Sequence, residues 1–69
     1  MSETLGEALP KEMARVRDFI LPTYLEIGVA GMIAVNSMRR DLDLAAKAMI
    51  EGDVVAMIGA YQALKDYEL

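Results

Sequence analysis

The sequence has 69 residues with no cysteine and no histidine, and its 11 acidic against 7 basic residues give a net charge of −4. This length fits one small domain. The absence of Cys and His excludes disulfides, the common zinc sites and the Ser–His–Asp and Cys–His catalytic systems. An acidic chain is also a poor ligand for nucleic acid, because phosphates bind clustered Lys and Arg.

The chain carries more apolar residues than a fold of this size can hide. Counting glycine and leaving out tyrosine, about 58% of the residues are apolar, against about 45–50% in ordinary domains. A domain this small buries only about 60% of the surface that its unfolded chain exposes. We therefore expect another chain, either a second copy or a different protein, to cover part of the apolar surface.

Neither a membrane span nor a targeting segment is predicted. The stretch 19–38 reaches the length of about 20 residues that a spanning helix needs, but Pro22 and Glu26 lie within it. Glu3 and Glu7 come before the first apolar block, which is unlike a signal peptide. The sequence therefore predicts a cytoplasmic protein without membrane contact.

The N-terminal residues 1–9 contain Gly6 and are predicted to form a tail, so that the single helical domain covers 10–69. Pro10 suits the first position of a helix. Beyond it, apolar residues recur every three or four positions, as on one face of an amphipathic helix. They are Met13, Val16, Ile20, Tyr24 and Ile27.

Pro22 decides how this first helix is interpreted. It falls on the polar side, where the carbonyl group left without a partner can face water. We therefore predict one helix over 10–27, kinked at Pro22 and ended by Gly28. The alternative is a first helix that ends near Ile20 and a second that starts at Pro22.

The second helix is predicted over 29–51 and has apolar residues at heptad spacing along one face. They are Gly31, Val35, Met38, Leu42, Ala45 and Met49. The opposite face carries Asn36, Arg39, Arg40, Asp43 and Lys47. Further Ala, Met and Ile residues widen the apolar surface, which predicts a central helix that is buried on two sides.

Gly52 and Asp53 mark the next boundary. Glycine ends a helix in the left-handed conformation, and aspartate caps the following one. A third helix is therefore predicted over 53–66, antiparallel to the second because the connection is so short. The expected fold is an all-α three-helix domain, completed by oligomerisation.

The acidic residues Asp41, Asp43, Glu51 and Asp53 are the main candidates for metal or acid–base chemistry. Helical residues two positions apart point about 200° away from each other, so Asp41 and Asp43 cannot share one ion. Asp53 has a sufficient role as a cap. We therefore expect no metal, no cofactor and no enzymatic activity.

The second helix also holds the predicted interaction surface. Met32 and Ile33 lie outside its heptad stripe and are candidates to face a partner. Val35, Met38 and Leu42 continue the apolar surface along the helix, and Arg39 with Arg40 could meet a partner's carboxylate groups. The predicted function is a protein–protein interaction module, self-associating, that binds, stabilises or inhibits another protein.

Two alternatives use the acidic residues instead. The first is an acidic inhibitor or regulator, of the kind encoded by phages and mobile elements, that competes for the nucleic-acid channel of a host protein. The second is a carboxylate-bridged metal bundle, for which only Glu26 lies near an apolar run.

Overall fold

The computed structural model describes residues 3–69, and within them the chain forms three helices and no strand, the all-α fold that the sequence predicts. The first helix has three consecutive parts: an α-helical segment Leu5–Arg15, a π-helical turn Val16–Ile20 and an α-helical segment Leu21–Ile27. The second helix is Val29–Glu51 and the third is Val54–Lys65.

The first helix begins at Leu5, five residues before the predicted start, so residues 5–9 are helical and not a tail. Pro10 lies inside the helix, where a proline costs about 3 kcal/mol. Leu9 is fully buried, and this burial contributes about 1.5–3 kcal/mol, enough to offset most of that cost. Residues 1 and 2 of the predicted tail lie outside the described part of the chain.

The first helix continues through Pro22 to Ile27, so the one-helix interpretation is confirmed and the alternative start at Pro22 is wrong. The π-helical turn directly precedes the proline, and there the Leu21 N–H donates to the carbonyl oxygen of Val16, five residues earlier. The Thr23 hydroxyl donates to the carbonyl oxygen of Phe19 at 2.9 Å. Such local adjustments satisfy carbonyl groups around a helical proline.

Both connections depend on glycine. Gly28 has φ 86° and ψ −141°, and Gly52 is left-handed with φ 65°. Asp53 caps the third helix, since its Oδ1 accepts from the Ala56 N–H at 3.1 Å. The predicted helix ends and the predicted cap are therefore confirmed.

The core lies where the three helices meet. Its buried side chains are Leu9, Val16, Ile20, Met38, Ala45, Ala60 and Leu64. The segment Leu5–Arg15 packs mainly against the third helix, whereas Leu21–Ile27 packs against the second. The first helix thus changes its packing partner at the π-helical turn.

Gly31 lies at a close contact between the first and second helices. A Cβ atom at this position would be 2.1 Å from the carbonyl oxygen of Tyr24. The absence of a side chain at Gly31 therefore allows the first and second helices to pack tightly within the chain.

Polar contacts attach the C-terminal residues to the rest of the fold. The Arg15 guanidinium donates to the carbonyl oxygens of Leu64 at 3.1 Å and Lys65 at 3.4 Å, which supplies partners to the open end of the third helix. The Tyr24 hydroxyl donates to the carbonyl oxygen of Glu68 at 3.2 Å. The residues that follow the third helix are thereby held against the first.

Candidate interaction surface

Three of the predicted interface residues contribute to the fold of the chain itself. Val35 and Met38 are completely buried, and Leu42 packs half-buried against the core. Val35 and Met38 therefore have no surface to offer a partner. The heptad stripe identified the buried face of the second helix, not its accessible one.

Met32 and Ile33 are exposed, and they belong to an apolar cluster around Gly28. We call this cluster the Gly28 end. Its side chains, with their exposed fractions, are Leu25 (41%), Ile27 (57%), Val29 (90%), Met32 (37%) and Ile33 (83%). All five lie within five residues of Gly28 along the chain, and Val29, Met32 and Ile33, at spacings of three and four, share one face of the second helix.

A second apolar cluster surrounds the other connection, and we call it the Gly52 end. It contains Met49, Ile50, Val54, Val55 and Ile58, of which Ile50 and Val55 are more than four-fifths exposed. The second helix separates the two ends by roughly 33 Å, and the longest extent of the molecule is 37 Å. Val54 and Ile58 share helical spacing with Met57, Tyr61 and Leu64, a pattern that predicts one buried face, so periodicity alone does not reveal this exposed cluster.

Charged side chains occupy the second helix between the two apolar ends. Arg39 is exposed. Arg40 donates to the Ser37 hydroxyl at 3.3 Å and lies 3.6 Å from the Asp41 carboxylate. The Arg40 side chain remains 68% exposed, so most of its surface is accessible to a partner.

Asp41 has a structural partner. Its Oδ2 accepts from the Tyr67 hydroxyl at 2.7 Å, and the Asp41 side chain is only 11% exposed. Burial raises the pKa of Tyr67 above its ordinary value of 10.0, and the hydrogen bond to Asp41 raises it further. The pair therefore holds the C-terminal residues against the second helix.

In the part of the chain that the structure describes, no three acidic residues come together as potential metal ligands. Asp53 is used as a helix cap. Over the same residues, no helix combines the length and the apolar content that a membrane span requires.

A groove of about 420 Å³ lies between the second and third helices. The second helix lines it with Asp41, Leu44, Lys47, Ala48 and Glu51, and the third with Ala56, Gly59, Ala60 and Ala63. The small residues of the third helix leave the space open. Their spacing was visible in the sequence, but the sequence does not show which face of that helix turns toward the second.

We compared the chain with known proteins by sequence and by structure. No family model, no curated protein and no solved structure matches it. The assignment of function therefore depends on the surfaces described above.

Proposed function

We propose that the protein is a non-enzymatic protein–protein interaction module that self-associates and binds, stabilises or inhibits another protein through the Gly28 end. The observation that supports this most strongly is the cluster of five exposed large apolar side chains around one turn. The proposal keeps the cytoplasmic location predicted from the sequence.

Burial of the apolar side chains of the Gly28 end in a complex would be energetically favourable. Burying one Val or Ile side chain completely contributes about 1.5–3 kcal/mol. Val29 and Ile33 are 90% and 83% exposed, so nearly all of that contribution is still available to a complex. Single exposed apolar residues are ordinary, whereas a contiguous patch is typical of an interaction site.

The shape of this end indicates the kind of partner. The third helix has 12 residues and pairs with the Gly52 half of the 23-residue second helix. The Gly28 half consists mainly of two helices and ends in the turn at Gly28. The exposed apolar side chains at this turn could enter an apolar groove, so we propose that the partner offers one.

Mimicry of nucleic acid has less support. The Gly28 end carries only Glu26 as a charged residue between Leu25 and Ile33, and the first charges beyond Ile33 are the basic pair Arg39 and Arg40. A competitor for a basic channel needs a continuous acidic surface. Binding that survives about 0.5 M salt would favour the apolar contact, since screening weakens charge pairs at that ionic strength.

The test uses the full chain as bait in an extract of the source cell, with Ile33→Asp as the test variant and Gln62→Asp as the control. Gln62 is exposed on the third helix, so both variants add one negative charge at an exposed position. We expect Ile33→Asp to reduce recovery of a specific partner by about tenfold or more, because apolar burial is lost. Recovery on Gln62→Asp should match the unchanged chain.

The protein recovered in this way is then purified and titrated against each bait by calorimetry. A negative heat-capacity change would be the expected mark of apolar burial. Equal recovery of the same proteins on all three baits would contradict the proposal.

A further inference from the structure

We infer that the groove between the second and third helices is the surface through which two copies of this chain associate, with their second helices antiparallel about a two-fold axis. The inference rests on the self-association in the proposed function, but it uses a surface separate from the Gly28 end. It commits the groove to one occupant, which is the second helix of another copy.

The order of charges along the second helix supports this occupant. Arg40, Asp43, Lys47 and Glu51 follow one another at spacings of three and four residues, so they share one face of the helix. Their signs alternate. When a second copy of this face runs in the opposite direction, Arg40 meets the partner's Glu51 and Asp43 meets the partner's Lys47. The face is thus complementary to itself under two-fold rotation, as an isologous interface requires.

The position of the groove agrees with the position of the charges. The groove is lined by the second helix from Asp41 to Glu51, a stretch centred on Ala46. The outer charge pair, Arg40 with the second copy's Glu51, is centred midway between Ala45 and Ala46. The inner pair, Asp43 with the second copy's Lys47, is centred on Ala45. The groove and the charge pattern share Lys47 and Glu51, and both are centred within one residue of the same point on the second helix.

Leu44 supplies the apolar contact at this axis. Its side chain is 53% exposed and forms part of the groove wall. In the antiparallel arrangement, Leu44 of each copy lies next to the axis and faces the partner's groove. The small residues Ala56, Gly59 and Ala63 leave room there for a large side chain, as in the packing of a knob into a hole.

The charges that this arrangement needs are available. Within residues 3–69, neither Asp43, Lys47 nor Glu51 takes part in an ion pair. Arg40 has one contact with Asp41 at 3.6 Å and keeps most of its side chain exposed. These groups can therefore pair with a second copy without breaking strong contacts of the monomer.

A charge exchange tests the arrangement with the full chain. Lys47→Glu places like charges opposite each other at two symmetric sites, so we expect the dimer affinity to fall about tenfold. The double variant Asp43→Lys/Lys47→Glu keeps the net charge and restores opposite charges between copies, so its affinity should return. Lys11→Glu changes the net charge by the same amount as Lys47→Glu on an exposed part of the first helix and should leave the affinity unchanged.

Dimer affinity is measured by sedimentation equilibrium over a hundredfold range of concentration. A further test variant, Leu44→Ala, is compared with the control Ile33→Ala. Leu44→Ala should weaken the dimer, whereas Ile33→Ala, at the Gly28 end, should not. A monomer at every concentration would overturn the inference. A dimer that Lys47→Glu does not weaken, or that the double variant does not restore, would overturn it as well.

These outcomes remain separable from those of the proposed function. A chain that fails every dimer test but loses its partner on Ile33→Asp would still be an interaction module that acts through the Gly28 end. A chain that dimerises as described but recovers no partner would keep the groove assignment and lose the proposed hetero-complex.

Discussion

Replacement of Gly31 by alanine tests the close contact of the first and second helices. The new Cβ atom would lie 2.1 Å from the carbonyl oxygen of Tyr24 and 3.4 Å from the Ile27 Cβ atom. Because the Tyr24 contact is with backbone, the helices must separate by about 0.9 Å to reach even the 3.0 Å limit of real Cβ contacts. A rotamer change cannot relieve this clash.

The magnitude follows from two opposing contributions. Overpacking at the upper end of its usual range costs about 3 kcal/mol. Alanine recovers about 1 kcal/mol of helix propensity relative to glycine. The free energy of unfolding should therefore fall by about 2 kcal/mol, which lowers the melting temperature of a domain this small by about 8–16 °C.

Gly59→Ala is the matched control. Gly59 is also helical, and no atom lies within 4 Å of the Cβ position there. This variant should gain about 0.5–1 kcal/mol. Both are measured by urea and thermal unfolding, followed by far-ultraviolet circular dichroism at a concentration where the chain is monomeric. If Gly31→Ala stabilised the protein as Gly59→Ala should, the close helix contact would be refuted.

Four further substitutions test other parts of the fold. Leu9→Ala should cost about 2–5 kcal/mol, because Leu9 is fully buried; urea unfolding measures this. Tyr67→Phe should cost about 1.5–2 kcal/mol near neutral pH, since it removes a hydrogen bond to the Asp41 carboxylate. Because the pKa of Tyr67 is raised in the folded protein, its hydroxyl contributes fully to the free energy of unfolding below pH 10, and this contribution is lost as the pH rises beyond that value. The difference in stability between Tyr67→Phe and the original protein should therefore narrow in alkali. Gly28→Ala should cost about 1–3 kcal/mol of stability, because Gly28 has φ 86° and ψ −141°, a backbone conformation that residues with a side chain rarely adopt. Gly52→Asn should cost less than about 1 kcal/mol, because asparagine tolerates the left-handed region.

For each of these substitutions, one result would contradict the structural reason given for it. A Leu9→Ala variant as stable as the original would mean that residues 5–9 do not belong to the core. If the free energies of unfolding of Tyr67→Phe and of the original protein fell in parallel above pH 10, ionisation of the Tyr67 hydroxyl would not explain the loss of stability in alkali. Equal costs for Gly28→Ala and Gly52→Asn would contradict the conformation assigned to Gly28.

The helix boundaries could be predicted because local residues determine them. Gly28, Gly52 and Asp53 end or cap helices through conformations and hydrogen bonds that involve only their neighbours in sequence. The start of the first helix could not be found in the same way. Leu9 is buried by contact with distant parts of the chain, and this contact outweighs the local signal of Pro10.

The exposed apolar surface was only partly predictable. Met32 and Ile33 were identified correctly as exposed, since they lie outside the heptad stripe. Val35 and Met38 show the limit of this reasoning, because periodicity finds an apolar face but does not tell which chain covers it. The groove depends on the orientation of the third helix, which is a property of the tertiary packing.

The first helix changes its packing partner at the π-helical turn, so we expect the two halves of the molecule to differ in local stability. Near the Gly52 connection, three helices enclose the core, whereas two helices form most of the other half. Amides in Leu21–Ile27 and in the first turns of the second helix should therefore exchange with deuterium through local opening, before those around Ala45 and Leu64, which should need global unfolding. If the Gly28 end binds a partner as proposed, we expect the backbone of this half to adjust while the other half stays folded.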